Sequence, residues 1–190
     1  PSKTFGGLVA GTYGTENTLR GFARLESGEL ATGARGFLSY SYNTADKHKG
    51  SGEQRHQQLN FKVVQPIGEG SLTGWANWSK RREQDYQDMS LEMLSRLGYS
   101  WDNVSNNWPL AVQIAEVGNN TGYTGVTPRF PSFGTTYPGK ITNADDAYYD
   151  AAGLRDDIVG ALTLRLPVGE AVDFKATVYG HEDEGQGLWF

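Results

Sequence analysis

Val172-Asp173-Phe174-Lys175-Ala176-Thr177-Val178-Tyr179-Gly180-His181 alternates apolar and polar residues with a period of two. Successive side chains of a strand point to opposite faces. One face of this stretch reads Val172, Phe174, Ala176, Val178; the other reads Asp173, Lys175, Thr177, Tyr179, His181. The second face needs water. The first needs an apolar medium, either a protein core or the acyl region of a bilayer. Which medium it meets decides the fold and the role of the chain.

Six further segments read as strands, at residues 5–13, 18–26, 34–43, 57–64, 71–80 and 158–166. The first is Gly-rich and weakly patterned. In the second, Leu19, Gly21, Ala23 and Leu25 oppose Arg20, Phe22, Arg24 and Glu26. In the fourth, Leu59, Phe61 and Val63 oppose Gln58, Asn60 and Lys62. Each segment is close to the roughly 9–11 residues with which a tilted strand crosses a membrane, whereas strands of soluble domains run to about 5–6. The connections fall into two classes. Tight Gly/Pro turns occupy residues 27–33, 65–70 and 167–170, and longer polar connections occupy 44–56 and 81–157. Short turns at one end and long loops at the other are the pattern of an outer-membrane barrel. The connection around residues 14–17 is the exception, being short yet at the long-loop end. Within 81–157, Met89 to Gly98 has apolar residues at helical spacing and ends in Gly, which predicts a short helix. A weaker helical stretch runs over 109–117.

Composition narrows the class. The chain has 190 residues, 37% of them hydrophobic, and a mean hydropathy of −0.54, and no run approaches the roughly 20 apolar residues of a spanning helix. A helical membrane protein is thereby excluded. The 25 Gly, 10 Tyr, 8 Phe and 5 Trp suit a β-rich chain with many turns. The absence of Cys rules out disulfides and thiolate metal sites. A net charge of −5 without a basic patch argues against nucleic acid as a partner. The chain starts at Pro1 without a signal segment, which reads as a processed protein or a piece of a longer one.

The stretch from Thr4 to Gly21, and within it Tyr13-Gly14-Thr15-Glu16-Asn17-Thr18, resembles the start of the barrel in TonB-dependent outer-membrane receptors. There, a Tyr-Gly-x-x-Asn-Thr hairpin follows the plug domain. The turns at Gln65-Pro66-Ile67-Gly68 and Leu166-Pro167-Val168-Gly169 are similar to the family's periplasmic turns, and Tyr179 to Gly187 is similar to its strand-to-loop segments. The resemblance implies an all-β fold: an antiparallel up-and-down transmembrane barrel fragment. Residues 1–190 would supply about seven strands of a 22-stranded barrel, with 81–157 as a long extracellular loop. It implies a location in the cell outer membrane. The activity implied is binding of an iron-siderophore, carbohydrate or similar nutrient at the extracellular loops, for TonB-energised uptake into the periplasm. The implied partners are outer-membrane lipid, the protein's own plug domain and remaining barrel strands, a TonB-type energy-coupling protein, and a small-molecule or oligosaccharide ligand. Seven strands are odd in number and too few to close a barrel. The plug and the later strands are therefore expected outside this sequence.

No phosphate loop, nucleophile elbow or zinc spacing is present, so neither an enzyme nor a cofactor is expected. His181 with Glu182, Asp183 and Glu184 reads as a solvated strand end, and Asp145, Asp146 and Asp150 as loop charge rather than a calcium site. His48, between Lys47 and Lys49, reads as plain loop. Arg20, Arg24, Glu26, Arg35, Lys62, Arg165, Asp173 and Lys175 form the inward polar set of a barrel, serving a hydrated lumen and salt bridges to a plug. Tyr40, Tyr42 and Trp78 suit an aromatic girdle. Trp101, Trp108, Tyr123, Phe130, Phe133, Tyr137, Tyr148 and Tyr149 are scattered among Asn, Gly and Thr of the long loop. Two readings of these stay open: a binding surface for a sugar or aromatic siderophore, or a loop that packs on itself. Two other classes remain as alternatives: a soluble β-sandwich carbohydrate-binding module, and a structural or adhesive outer-membrane barrel.

Overall fold

The computed structural model describes residues 1–122, 128–169 and 171–189. Its strands are β1 (Phe5–Tyr13), β2 (Leu19–Ser27), β3 (Arg35–Asp46), β4 (Glu53–Ile67), β5 (Gly70–Gln84), β6 (Ala151–Val168) and β7 (Val172–Trp189). They form one seven-stranded sheet in sequence order, with β1 and β7 at its edges. The fold is an antiparallel all-β meander. Helices α1 (Leu91–Leu97) and α2 (Trp108–Gly122) lie in the β5–β6 connection, with 3₁₀ turns at Pro131–Phe133 and Ala144–Asp146. No helix among the described residues is long and apolar enough to cross a membrane, which says nothing of spanning by strands.

The register carries the period-two pattern across neighbours. Leu25 stands opposite Gly7 and Leu38, Ala23 opposite Val9 and Tyr40, and Gly21 opposite Gly11 and Tyr42. Directly opposed residues share a face, so the apolar positions of β1, β2 and β3 form one continuous surface. On the other face Arg24 is opposite Ser39 and Arg20 opposite Asn43. Side-chain contacts extend both faces along the sheet. A Cβ on Gly74 would lie 3.5 Å from both Leu162 and Val63 on the apolar side. On the polar side Asn77 donates to Asn60 at 2.7 Å, and the hydroxyls of Thr163 and Thr177 are 3.0 Å apart.

The strands run further than their alternation predicts. The sequence pattern ends β3 at Asn43, starts β4 at Gln57, ends β5 at Lys80, starts β6 at Ile158 and ends β7 at His181. The ladders continue past all five points, up to 18 residues in β6 and in β7. Backbone N–H and C=O groups pair whatever side chains they carry, and these extensions are mostly polar on both faces. Their side chains pair across the strands: Arg82 with Asp156, His181 with Asp157 at 3.6 Å, and Arg155 with Asp183 at 4.0 Å. The carboxylates 182–184 thus lie inside β7 rather than at its end, and are exposed. The long connections shrink to 47–52 and 85–150.

The chain divides into two compact units. The sheet unit comprises Pro1–Ala45, Gln54–Arg82 and Leu154–Gln186. Among its described residues Ala34 is the one buried apolar side chain, while Leu25, Leu38, Phe61, Leu162 and Phe174 are 45–55% exposed. The loop unit comprises Asp46–Glu53, Glu83–Gly153 and Gly187–Phe190. It has a core of Val104, Ile114, Ile141 and Ala147, against which Leu97, Trp101, Leu110, Ala111 and Tyr137 pack. Its first helix is punctuated as its sequence predicts. Ser90 Oγ accepts from Met93 N at 3.1 Å, and Gly98 ends the helix at φ 93°, where a Cβ would be strained.

Candidate functional site

The loop unit is held by two ionic clamps. In the first, Arg96 of α1 donates through Nη1 and Nη2 to both oxygens of Asp146, at 2.7 and 2.9 Å, and through Nε to Glu92 at 2.7 Å. Arg96 Nη1 also donates to Lys140 O, and Trp101 Nε1 to Asp146 O, both at 2.7 Å. The Arg96 guanidinium, with backbone N–H donors from Thr142 and Asn143, holds the Asp146 carboxyl down at about 2 despite its burial. In the second clamp, Lys47 Nζ meets Asp102 at 2.6 Å with both side chains 1% exposed, and donates to Asp85 O at 2.7 Å. Asp102 Oδ1 accepts from Gln87 N at 2.7 Å. Burial, and then the neighbouring Glu83, push the Asp85 carboxyl up. His48 beside it is hydrogen-bonded to Tyr86 Oη through Nδ1 at 2.8 Å and through its backbone N–H at 3.0 Å. Segment 47–52 is in this way tied to the start of the 85–150 connection.

Between α2 and residues 144–150 the loop unit forms a cavity of about 670 Å³ that is open to solvent on one side. Its walls are apolar side chains of α2, such as Val112 and Ala115, facing Ala144 and Ala147. Trp108 and Tyr149 line it and meet edge to face, centroids 4.9 Å apart at 85°. Tyr148 lines it as well and stacks edge-on against Trp189 at 5.5 Å. The charged side chains that line it are Glu116, Asp145 and Asp150. Asp150 accepts two hydrogen bonds from Gln84 Nε2, at 3.0 and 3.2 Å. Glu116 Oε2 is buried with no hydrogen-bond partner.

Of the eight loop aromatics, the seven among the described residues stand in different surroundings. Trp108, Tyr148 and Tyr149 line the cavity. Trp101 and Tyr137 pack against the loop core. The backbone of Phe130 is gripped by the Asn120 carboxamide at 2.8 and 2.9 Å. Phe133 closes a 3₁₀ turn with its side chain partly exposed. Tyr123 lies outside the described residues. The three aspartates do not meet at one point: Asp146 is held by Arg96, while Asp145 and Asp150 line the cavity, Asp150 bonded to Gln84. Among the described residues no three His, Cys, Asp or Glu side chains converge on a metal-sized site.

Of the inward polar set, Arg24 pairs with Glu26 and lies 3.7 Å over the Phe37 ring. Arg165 donates to Asp173 at 2.6 Å. Arg35, Arg165 and Asp173 line one recess beside the short turn that holds Glu69. Arg20 shares its face with Arg24 by register. Lys62 and Lys175 sit between apolar neighbours on β4 and β7, at Phe61 and Val63 and at Phe174 and Ala176. The residues that the sequence did not single out are Lys47, Asp102, Arg96 and Glu116. A spacing of four on a helix signals the contact of Arg96 with Glu92 but not its clamp on Asp146. Nothing local signals the Lys47–Asp102 pair, whose members are far apart in the chain. No protein-family model, curated protein or solved structure matches the chain.

Proposed function

We propose that this chain is part of the β-barrel of a TonB-dependent outer-membrane receptor, which takes a small nutrient ligand at its outer loops and passes it to the periplasm without bond-making chemistry. One observation carries the reading: the sheet has a continuous apolar face that no described element covers, while the apolar core of the protein lies in the loop unit. A half-exposed row of Leu and Phe is stable in contact with acyl chains and costly in water. Strands of 9 to 18 residues, the short turns at one end and the Tyr13–Thr18 hairpin support the same reading. The two edges, β1 and β7, carry unpaired backbone groups that further strands of the same barrel would satisfy. The polar face then borders a wet lumen and a plug, and coupling runs through a TonB-type partner. A β-sandwich needs a second sheet, and the described residues form one.

The test is behaviour of the full-length protein with lipid. It is expected to fractionate with outer membranes, to insert into phospholipid vesicles and to protect the strands from protease there while 85–150 stays cleavable. A compact monomer in buffer free of detergent would overturn the reading.

A further inference from the structure

We propose that the α2 cavity binds a small organic cation with an apolar body. The inference rests on the receptor reading and names the ligand class for it. A volume of about 670 Å³ falls within the roughly 300–1,000 Å³ of small-molecule sites, and such sites are mostly apolar with a few placed polar groups. Every charged side chain lining it is acidic: Glu116, Asp145 and Asp150, with no Lys, Arg or His among the described lining residues. A recess with low-dielectric walls and charge of one sign concentrates ions of the other sign. An anionic ligand would meet repulsion from all three carboxylates and find no counter-charge.

The polar groups discriminate further. Asp150 already accepts from Gln84 and from Ala151 N at 2.9 Å, so its hydrogen-bonding capacity is largely spent within the protein while its charge remains. Glu116 is different. One of its oxygens, Oε2, is buried with no hydrogen-bond partner among the described residues, and a bound cation would supply one. Trp108 and Tyr149 meet at nearly a right angle and do not form a flat platform of the kind a sugar ring stacks on. Their electron-rich rings beside carboxylates suit an ammonium or amidinium group. The alanine walls offer a ligand's apolar body close contact and a neutral polyol few hydrogen bonds.

The test is titration calorimetry of the full-length protein in lipid nanodiscs with benzyltrimethylammonium, benzyl alcohol and benzoate as probes of similar size. The cation is expected to bind saturably, at least about tenfold tighter than the alcohol, with benzoate weakest. Its affinity should fall with added salt. Glu116→Gln and Trp108→Ala should each weaken it about tenfold, and Asp145→Asn, at an exposed position, should weaken it less without disturbing the fold. Glu29→Gln, in the sheet unit, should leave it unchanged. Equal binding of the three probes, tighter binding of benzoate, no saturable binding, or indifference to the cavity variants would overturn the inference. Vesicle insertion separates the two readings: a protein that inserts and ignores the cation loses only the cavity assignment, and one that binds the cation in buffer as a compact monomer loses only the barrel.

Discussion

The sheet unit and the loop unit treat the same residue types in opposite ways. In the sheet unit, Leu and Phe stand about half exposed on one face and Arg and Asp pair on the other. In the loop unit, Ile and Val are buried, and so are charges, with Lys47, Asp102 and Asp146 almost inaccessible. A surface that stays apolar and open is costly in water and suits the apolar solvent that the proposed barrel would meet. A knot of loops that buries its own core and its own ion pairs is built to hold shape in water. The difference teaches that the two units bury their apolar residues differently, as one chain serving two solvents under the proposed barrel reading would.

The sharpest way to break this comparison is at Lys47. Lys47→Met strands the Asp102 carboxylate in the interior and should destabilise the loop unit by about 3–5 kcal/mol. Amide exchange across 85–104 reads it, and adding Asp102→Leu should restore most of the loss. Next, Ile114→Ala in the loop core should cost about 2–5 kcal/mol, because a packed protein interior leaves a cavity. On the proposed barrel reading Leu38→Ala on the sheet should cost less than half of that, because fluid lipid would fill the space. Equal costs in vesicle-bound protein would mean that a fixed element covers the sheet. Charge placed on the two faces sharpens the point. Leu162→Arg, outward at mid-strand, should lower stability in bilayers by about 2–4 kcal/mol, and its neighbour Thr163→Arg by less than 1 kcal/mol. Unfolding from vesicles in urea measures both.

The loop unit also carries an effect of pH. Asp146 is held at about 2 in the folded chain, below the ordinary carboxyl value of 3.8. Its ionised form is therefore favoured by folding. The stability it supplies, roughly 2 kcal/mol, is fully present above about pH 4 and is lost as pH falls toward 2. Acid should loosen amide protection around α1 and residues 142–146 before it disturbs the strands, and Asp146→Asn should remove that acid step.

The fold was legible where side chains alternate. The period of two placed six of the strands, the Gly-rich β1 being only weakly patterned, and Gly98 marked the end of α1. Strand length was not legible, since the extensions 53–56, 81–84 and 182–189 pair through their backbones and carry no apolar rhythm to announce them. Of the loop aromatics, composition marked the group but not the division within it. Trp101 donates to a backbone carbonyl and packs inward, whereas Trp108, at the start of α2, faces the cavity, and nothing in their local sequence separates the two roles.

The sequence by itself determined that a β-sheet with one apolar and one polar face would form, because alternation is a local property of a strand and survives any register that keeps the faces together. It also determined the alternation of short turns with longer connections. The tertiary structure alone decided that Lys47 meets Asp102, that Arg96 clasps Asp146, and that Trp108, Glu116 and Tyr149 surround one cavity. Those contacts join residues distant in the chain, and only the packing of the loop core brings them within reach.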